Sequence, residues 1–444
     1  AHLDWAAGRP PNPALNPAFA TLDAYGFTMS FDETEATIQQ CATCHSRREA
    51  HGDGNPIPGA PYHDAYNVAL LRPGLYHADG QILDEVYVYG SFLQSKMYRR
   101  GVGCLDCHDA HKATLRAEGA AVCAQCHSPA GAPEFPTLQP AAYDDPSHHF
   151  HEPETEGAQC VSCHMIERVY MGNDGRRDHS FRIPRPDLAA ETGAPDACTD
   201  CHADRTAAWA AARIEEWHPD SANRGPHYGQ TLSARRLDPQ GAGYDLAALA
   251  LDPDQPGIVR ATALWLMEGA GDADLAARTQ DLLDDPDPVV RAAAISAQRA
   301  APAQERVLRL APALSDPIRT VRIAASRALL DAPVARLPAA IASDLQAALA
   351  DWRASLGARL DFPETHLQLG GMALTMRNPS AAEAAFREVV RMDPQRIDAW
   401  AMIARIAAAM RGRDAASKAL EEALAVNPGD ETLGRLATEV DAAR

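Results

Sequence analysis

The chain has 444 residues, 46% of them hydrophobic and 23% charged, and its formal net charge is -19 with neutral histidines. A disordered chain would carry fewer core-forming residues, and a length of this order predicts about three domains rather than one. The acidity argues against a nucleic-acid binder, which needs a basic field, and the alanine-rich stretches near Ala292 and Ala404 are broken by Arg, Asp or Glu, so no transmembrane segment is expected.

The first residues, Ala1-His2-Leu3-Asp4, lack the basic and apolar regions of a signal peptide, so the numbering is expected to begin at a mature, cleaved N-terminus. Residues 1–235 hold all ten cysteines and all but one of the 17 histidines, and are rich in Gly, Pro and aromatic residues. Every cysteine belongs to a Cys-x-x-Cys-His unit. The five units are Cys41, Cys44 and His45; Cys104, Cys107 and His108; Cys123, Cys126 and His127; Cys160, Cys163 and His164; and Cys198, Cys201 and His202. A Cys-x-x-Cys pair alone fits a redox dithiol, half a zinc site or haem attachment; the adjoining histidine in every unit selects c-type haem. Two thioethers hold the haem vinyl groups, and the histidine reaches the iron from the same side. The expectation is five covalent haem c groups, with His45, His108, His127, His164 and His202 as proximal ligands. Apolar haem faces would then replace an ordinary core. Short helices are expected around each motif and from about 203 to 217.

The occupant of the second axial position decides between electron transfer and catalysis. Histidines outnumber these positions, so full bis-histidine ligation is the expectation. His111, three residues beyond His108, should point away from that haem and serve a neighbour. His77 and His179 are further candidates. In the run His148-His149-Phe150-His151, His148 and His151 are the expected ligands because they could share a helical face. His51, His63, His218 and His227 are reserves. Arg176, Arg177, Arg182 and Arg185 form a basic group in an acidic chain, and their guanidinium forks suit haem propionates; an oxyanion substrate would need the same chemistry.

From about Ala247 the composition turns to Ala, Leu and Arg with helical periodicity. Arg260, Arg291 and Arg322, each following a proline-containing turn, are 31 residues apart. Residues 247–350 therefore resemble HEAT-type helical repeats. Farther on, Phe386 to Leu420 and Pro394 to Pro428 are both 34 residues apart, with Ala404 and Ala416 where paired helices must approach. Residues 363–444 accordingly resemble tetratricopeptide repeats. Stacked repeats present a concave surface, and docking of a redox partner protein there is the expected use. The fold class expected is mainly α: a haem-bearing domain over 1–235 with little regular structure beyond short helices, followed by an α-solenoid.

The segments Tyr76-His-Ala-Asp-Gly-Gln81, Ser91-Phe-Leu-Gln-Ser-Lys-Met97, Cys163-His-Met165 and Arg177-Asp-His-Ser-Phe-Arg182 resemble those of the multihaem cytochrome superfamily that includes the pentahaem ammonia-forming nitrite reductases and their octahaem and electron-transfer relatives. The resemblance covers residues 38 to about 217. It implies haem attachment completed after export, hence a periplasmic or other extracytoplasmic site. Those reductases carry a Cys-x-x-Cys-Lys motif at the catalytic haem, whereas all five motifs here end in histidine. No catalytic residue is assigned. Electron transfer between redox partners through five haems is the expectation. The alternative is an oxidoreductase acting on a small nitrogen or sulfur oxyanion at one open haem.

Overall fold

The computed structural model describes residues 2–10, 12–13, 22–24, 26–238, 241, 243–268, 272–332 and 337–442. The chain is mainly α-helical and divides into two compact units, one of residues 1–49, 54–302 and 316–324, the other of residues 50–53, 303–315 and 325–444. No helix among the described residues is long and apolar enough to cross a membrane.

In the first unit the cysteine-bearing chain forms only short elements. Helices such as Cys104–Cys107, Ala121–Ala124 and Cys160–His164 are one turn long. Two antiparallel hairpins join them, His108–Asp109 with Thr114–Leu115 and Glu167–Tyr170 with Asp174–Arg177. The expected helix near 203–217 is present as Ala207–Trp217, capped by Thr206, whose hydroxyl accepts from the Trp209 amide. The Thr206 cap fixes where it starts, a few residues later than the alanine pattern suggests.

Much of the apolar core of this region lies in residues 62–93, where Tyr62, Tyr66, Tyr76 and Tyr89 are buried among aliphatic side chains such as Val68, Leu71 and Val86. Tyr62 is buried, its ring centroid 5.4 Å from that of Tyr66 and 5.0 Å from that of Tyr89, and its hydroxyl lies 2.7 Å from the Ser46 hydroxyl. Aromatic pairs at these separations add about 0.5–1.5 kcal/mol beyond their buried area. The same stretch is fastened to the helices that follow. Leu71 N–H donates to Thr262 Oγ1 (3.1 Å), Thr320 Oγ1 donates to the His63 carbonyl (2.6 Å), and Arg236 donates to the carbonyls of Tyr76 (3.0 Å) and Leu71 (2.6 Å). Each of these bonds occupies a backbone group that a strand or helix would otherwise have paired.

Helices Gly257–Met267, Pro288–Ala297 and Arg319–Ala328 begin at the recurring proline turns. The 31-residue spacing has a physical basis here. Arg260 Nη2 meets Asp285 Oδ2 at 2.7 Å, and Arg291 Nε meets Asp316 Oδ2 at 2.9 Å, so each arginine reaches the aspartate that opens the next turn. Arg291 and Arg322 also donate backward, to the carbonyls of Asp285 and Asp316, both at 2.8 Å. The Arg260–Asp285 pair is nearly buried, its side chains 10% and 6% exposed. Removing one partner of such a pair strands the other charge, at a cost of about 3–5 kcal/mol. Asp285→Ala should therefore lower the urea midpoint seen by far-UV circular dichroism, while Asp284→Ala, one residue away and without that arginine, should leave it in place.

The second unit is a run of helices, Ala339–Gly357, Pro363–Thr375, Pro379–Met392, Ile397–Arg411, Arg413–Val426 and Glu431–Ala442. The 34-residue spacing places Phe386 and Leu420 in one buried cluster, with Ala404 and Ala419 where the helices close on one another. Gly370 is required for one such approach: a Cβ there would lie 2.7 Å from the Phe386 ring. This helix-on-helix packing is that of a helical-repeat region. His51, a reserve ligand in the sequence, is buried in this unit with Nδ1 3.2 Å from Ser355 Oγ.

Candidate haem-attachment sites

All five Cys-x-x-Cys-His units fold alike. The histidine amide donates to the carbonyl of the first cysteine at 3.0 Å in the first unit, 2.8 Å in the third and 2.9 Å in the fifth, and the second unit closes the same bond at its helix end. The fourth unit is itself the helix Cys160–His164. A single α-turn sets residues four apart on one face, so the first thiol and the imidazole project together. No two of the ten cysteines form a disulfide.

An imidazole nitrogen binds a first-row metal at about 2 Å, and the ring centroid lies roughly 1 Å farther out, so two imidazoles on opposite sides of one iron have centroids about 6 Å apart. Three pairs that include a motif histidine meet that geometry. His108 and His179 are 6.4 Å apart with ring planes at 21°, His164 and His148 6.3 Å at 12°, and His202 and His151 6.3 Å at 37°. Each pair joins a motif histidine to one of the candidates from outside the motifs. Among the described residues, His45 and His127 face no second imidazole at that separation. His77 lies in the turn closed by Gly80 N–H on its carbonyl, near Asp79 and Arg236, and His111 is exposed in the hairpin loop after His108.

Separation alone does not identify a ligand, since His149 and His151 are also 6.4 Å apart. The ring protons discriminate. A carbonyl can only accept, so the Nδ1 atoms of His164 on the Arg182 carbonyl (2.6 Å), of His179 on the Arg177 carbonyl (2.9 Å) and of His151 on the His149 carbonyl carry protons, leaving each Nε2 lone pair for a metal. The reverse holds at His149 and His227, where Nδ1 accepts from the amides of His151 (3.2 Å) and Gly229 (3.0 Å), which puts the proton of the neutral ring on Nε2. Burial pushes His108, His127, His148, His164 and His179 below the usual histidine range, favouring the neutral form that can ligate. Burial, reinforced by the Arg182 cation, takes His227 down to about 4.

His148 and His151 do not share a helical face, contrary to expectation. The helix Pro146–His149 stops at Phe150, whose φ of 57° is left-handed, and the chain turns so that the two histidines reach different motifs. A non-glycine residue in that region stores about 1–3 kcal/mol, and Phe150 is held there by stacking on Trp217, rings 4.8 Å apart and 2° from parallel. The carbonyls that orient His179 and His151 each belong to the residue two positions earlier. That is a local turn which sequence inspection for side chains passes over.

The four arginines part company. Arg176 pairs with Asp174 (2.6 Å) and Glu85 (2.7 Å), and Arg177 with Glu167 (3.2 Å). Arg185 pairs with Asp187 (2.8 Å), and Arg182 and Arg185 also line a cleft together with Cys163, His164, Asp178 and His227. Arg182 is only 16% exposed and donates to the Asp79 carbonyl (2.7 Å) and Gln94 Oε1 (2.8 Å), with Asp178 Oδ2 at 3.4 Å. Tyr228 hydroxyl joins them by donating to the same Asp79 carbonyl at 2.7 Å. Gly80, at φ 86°, lies against this network, and any Cβ would collide with Gln94 Oε1 and the Tyr228 hydroxyl. The Arg182 side chain thus braces the loops around the fourth motif, while its carbonyl orients His164.

Residues 97–132, which contain the second and third motifs, match the doubled CXXCH motif family. No curated protein sequence matches the chain. The crystal structure of the outer cell wall cytochrome OcwA aligns at a TM-score of 0.32 and 17% identity, covering 61% of this chain and 65% of that one, too slight a likeness to define a shared fold. The doubled motif and the uniform fold of its Cys-x-x-Cys-His turns define a multihaem c-type cytochrome domain, in which haem is held covalently through those turns. The donor set fits the cofactor: paired thiols beside one imidazole, and for three of the motifs a second imidazole across from it.

Proposed function

We propose that this chain is an electron-transfer cytochrome carrying five haem c groups, largely bis-histidine ligated, that works in the periplasm or another extracytoplasmic space. The observation that carries the reading is the three imidazole pairs at 6.3–6.4 Å, each with one partner from a motif and one from elsewhere. Haem iron supplies one-electron redox chemistry, and two neutral imidazoles on one iron leave no position for a substrate. The protein's part is to hold those imidazoles, with Nδ1 on a backbone carbonyl raising their basicity and fixing their direction. The domain reading is part of the proposal: haem-bearing residues 1–235, HEAT-like repeats over 247–350 and tetratricopeptide-like repeats over 363–444, the last docking a redox partner protein. His77 and His111 are kept as further proposed distal donors.

A pyridine haemochrome assay should return five haems per chain. Low-temperature EPR of the oxidised protein should show low-spin haems only, unchanged by nitrite, hydroxylamine or sulfite. A high-spin haem that shifts on adding one of these anions would replace this reading with that of an oxidoreductase for a small nitrogen or sulfur oxyanion.

A further inference from the structure

The ring of His151, which stands 6.3 Å from that of His202, is confined from several directions. Its Nδ1 is held by the His149 carbonyl, and the ring is edge-on to Trp217 at 6.1 Å and 75°. Trp217 is in turn fixed by its stack on Phe150. A further neighbour has no side chain. A Cβ on Gly157 would lie 2.8 Å from Cγ and 2.9 Å from Nε2 of the His151 ring, and closer still to its Cδ2. Non-bonded carbon atoms settle at about 3.5–4.0 Å, so a methyl group there and the ring cannot both keep their places.

Backbone conformation does not account for this glycine. Gly157 lies in the short 3-10 turn Glu156–Ala158, and its φ is not positive, so alanine could adopt it. What the glycine supplies is room. The turn itself is pinned: Ala158 N–H donates to the Thr155 carbonyl (3.1 Å), Gln159 N–H to the Glu156 carbonyl (3.1 Å), and Thr155 Oγ1 to the Glu152 carbonyl (2.7 Å). Gln159 then opens the helix Cys160–His164 of the fourth motif. The imidazole across from the fifth motif thus packs on backbone that leads into the fourth. Moving that backbone breaks several hydrogen bonds, whereas turning the His151 side chain about its single bonds breaks the one to His149. A side chain at 157 should therefore displace the ring.

We propose that Gly157 is a positioning residue for the fifth haem site: having no side chain, it lets the His151 imidazole stand opposite His202, and any larger residue there turns that imidazole away. This rests on the bis-histidine reading above and names the position that admits one of its ligands. The neighbouring His149 is no substitute, because its Nδ1 already accepts the His151 amide.

Low-temperature EPR of the holoprotein carrying Gly157→Ala tests this, with the haem count measured beside it. Attachment at the fifth site depends on Cys198 and Cys201, so the haem count should hold while one haem passes from low-spin to high-spin. His151→Ala should give the same high-spin signal. Gly157→Ala combined with His151→Ala should show one high-spin haem and not two, because both changes act on one ligand. Gly225→Ala is the control: its φ is likewise not positive, a Cβ there meets nothing within 4 Å, and the spectrum should stay low-spin. A Gly157→Ala protein that remains low-spin throughout overturns the inference. So does a double variant with two high-spin haems, which would place the disturbance at another site. If Gly157→Ala alone fails to fold, adding His151→Ala removes the colliding ring and should restore folding; a double variant that still fails overturns the inference. Failure of the underlying ligation reading is distinct, since His151→Ala by itself would then stay low-spin.

Discussion

Replacing Arg182 with methionine should lower the stability of the cytochrome domain by about 3–5 kcal/mol, the range for removing one partner of a buried charged network. The methionine fills much the same volume but withdraws the Arg182 donors from Asp178, Gln94 and the Asp79 carbonyl. The Asp79 carbonyl keeps its bond from Tyr228 and Asp178 keeps those from Ser180, so the cost lies mainly in the buried Asp178 charge left without its cation. In a protein of several domains the transition is not two-state, so the readout is the urea midpoint of the haem Soret band beside that of far-UV circular dichroism. The Soret transition should move to lower urea, and the circular-dichroism midpoint should move less, because the helices of residues 339–442 lie in the other unit. Haem content should be unchanged, because His164 is oriented by the backbone carbonyl of residue 182. Arg182→Lys keeps the charge but not the planar fork, and should fall between the two. An unchanged midpoint with a shifted haem potential would mean that the guanidinium serves the haem carboxylates and not the loops.

His148→Ala should turn one low-spin haem high-spin without loss of covalent haem, because His148 lies across from His164 at 6.3 Å while attachment depends on Cys160 and Cys163. Imidazole added to the variant should restore the low-spin spectrum. His218 is near enough to compete, its ring 5.6 Å from that of His148, so His148→Ala is paired with a variant that also carries His218→Ala. A low-spin spectrum in the double variant would exclude His148 as a ligand. His149→Ala is the control: with its Nδ1 occupied by an amide, the neighbouring histidine should leave the spin state alone.

The chemistry of this chain is largely local, and so legible in order of residues. A Cys-x-x-Cys-His turn closes on itself through one backbone bond, so its reading needs no distant contact. The helical regions could be read for the same reason. Repetition at 31 and 34 residues reflects the same contact made again, Arg260 to Asp285 and then Arg291 to Asp316, or Phe386 and then Leu420 in one buried cluster.

Pairing was not legible. His148 and His151 looked alike as members of one run, and only the left-handed turn at Phe150, held by Trp217 far along the chain, parts them. His149 is as close to His151 as the proposed partners are to each other, and is set apart by which ring nitrogen faces a backbone amide. The four arginines read as one basic group, yet each has a carboxylate of its own, and Arg182 and Arg185 also face the cleft beside His164. Covalent attachment through the Cys-x-x-Cys-His turns depends on residues a few positions apart, and the repeat periods on residues recurring at fixed spacing, so the sequence by itself determined both. Which imidazole lies near which motif depends on segments many residues apart converging in space, and only the tertiary structure could bring them together.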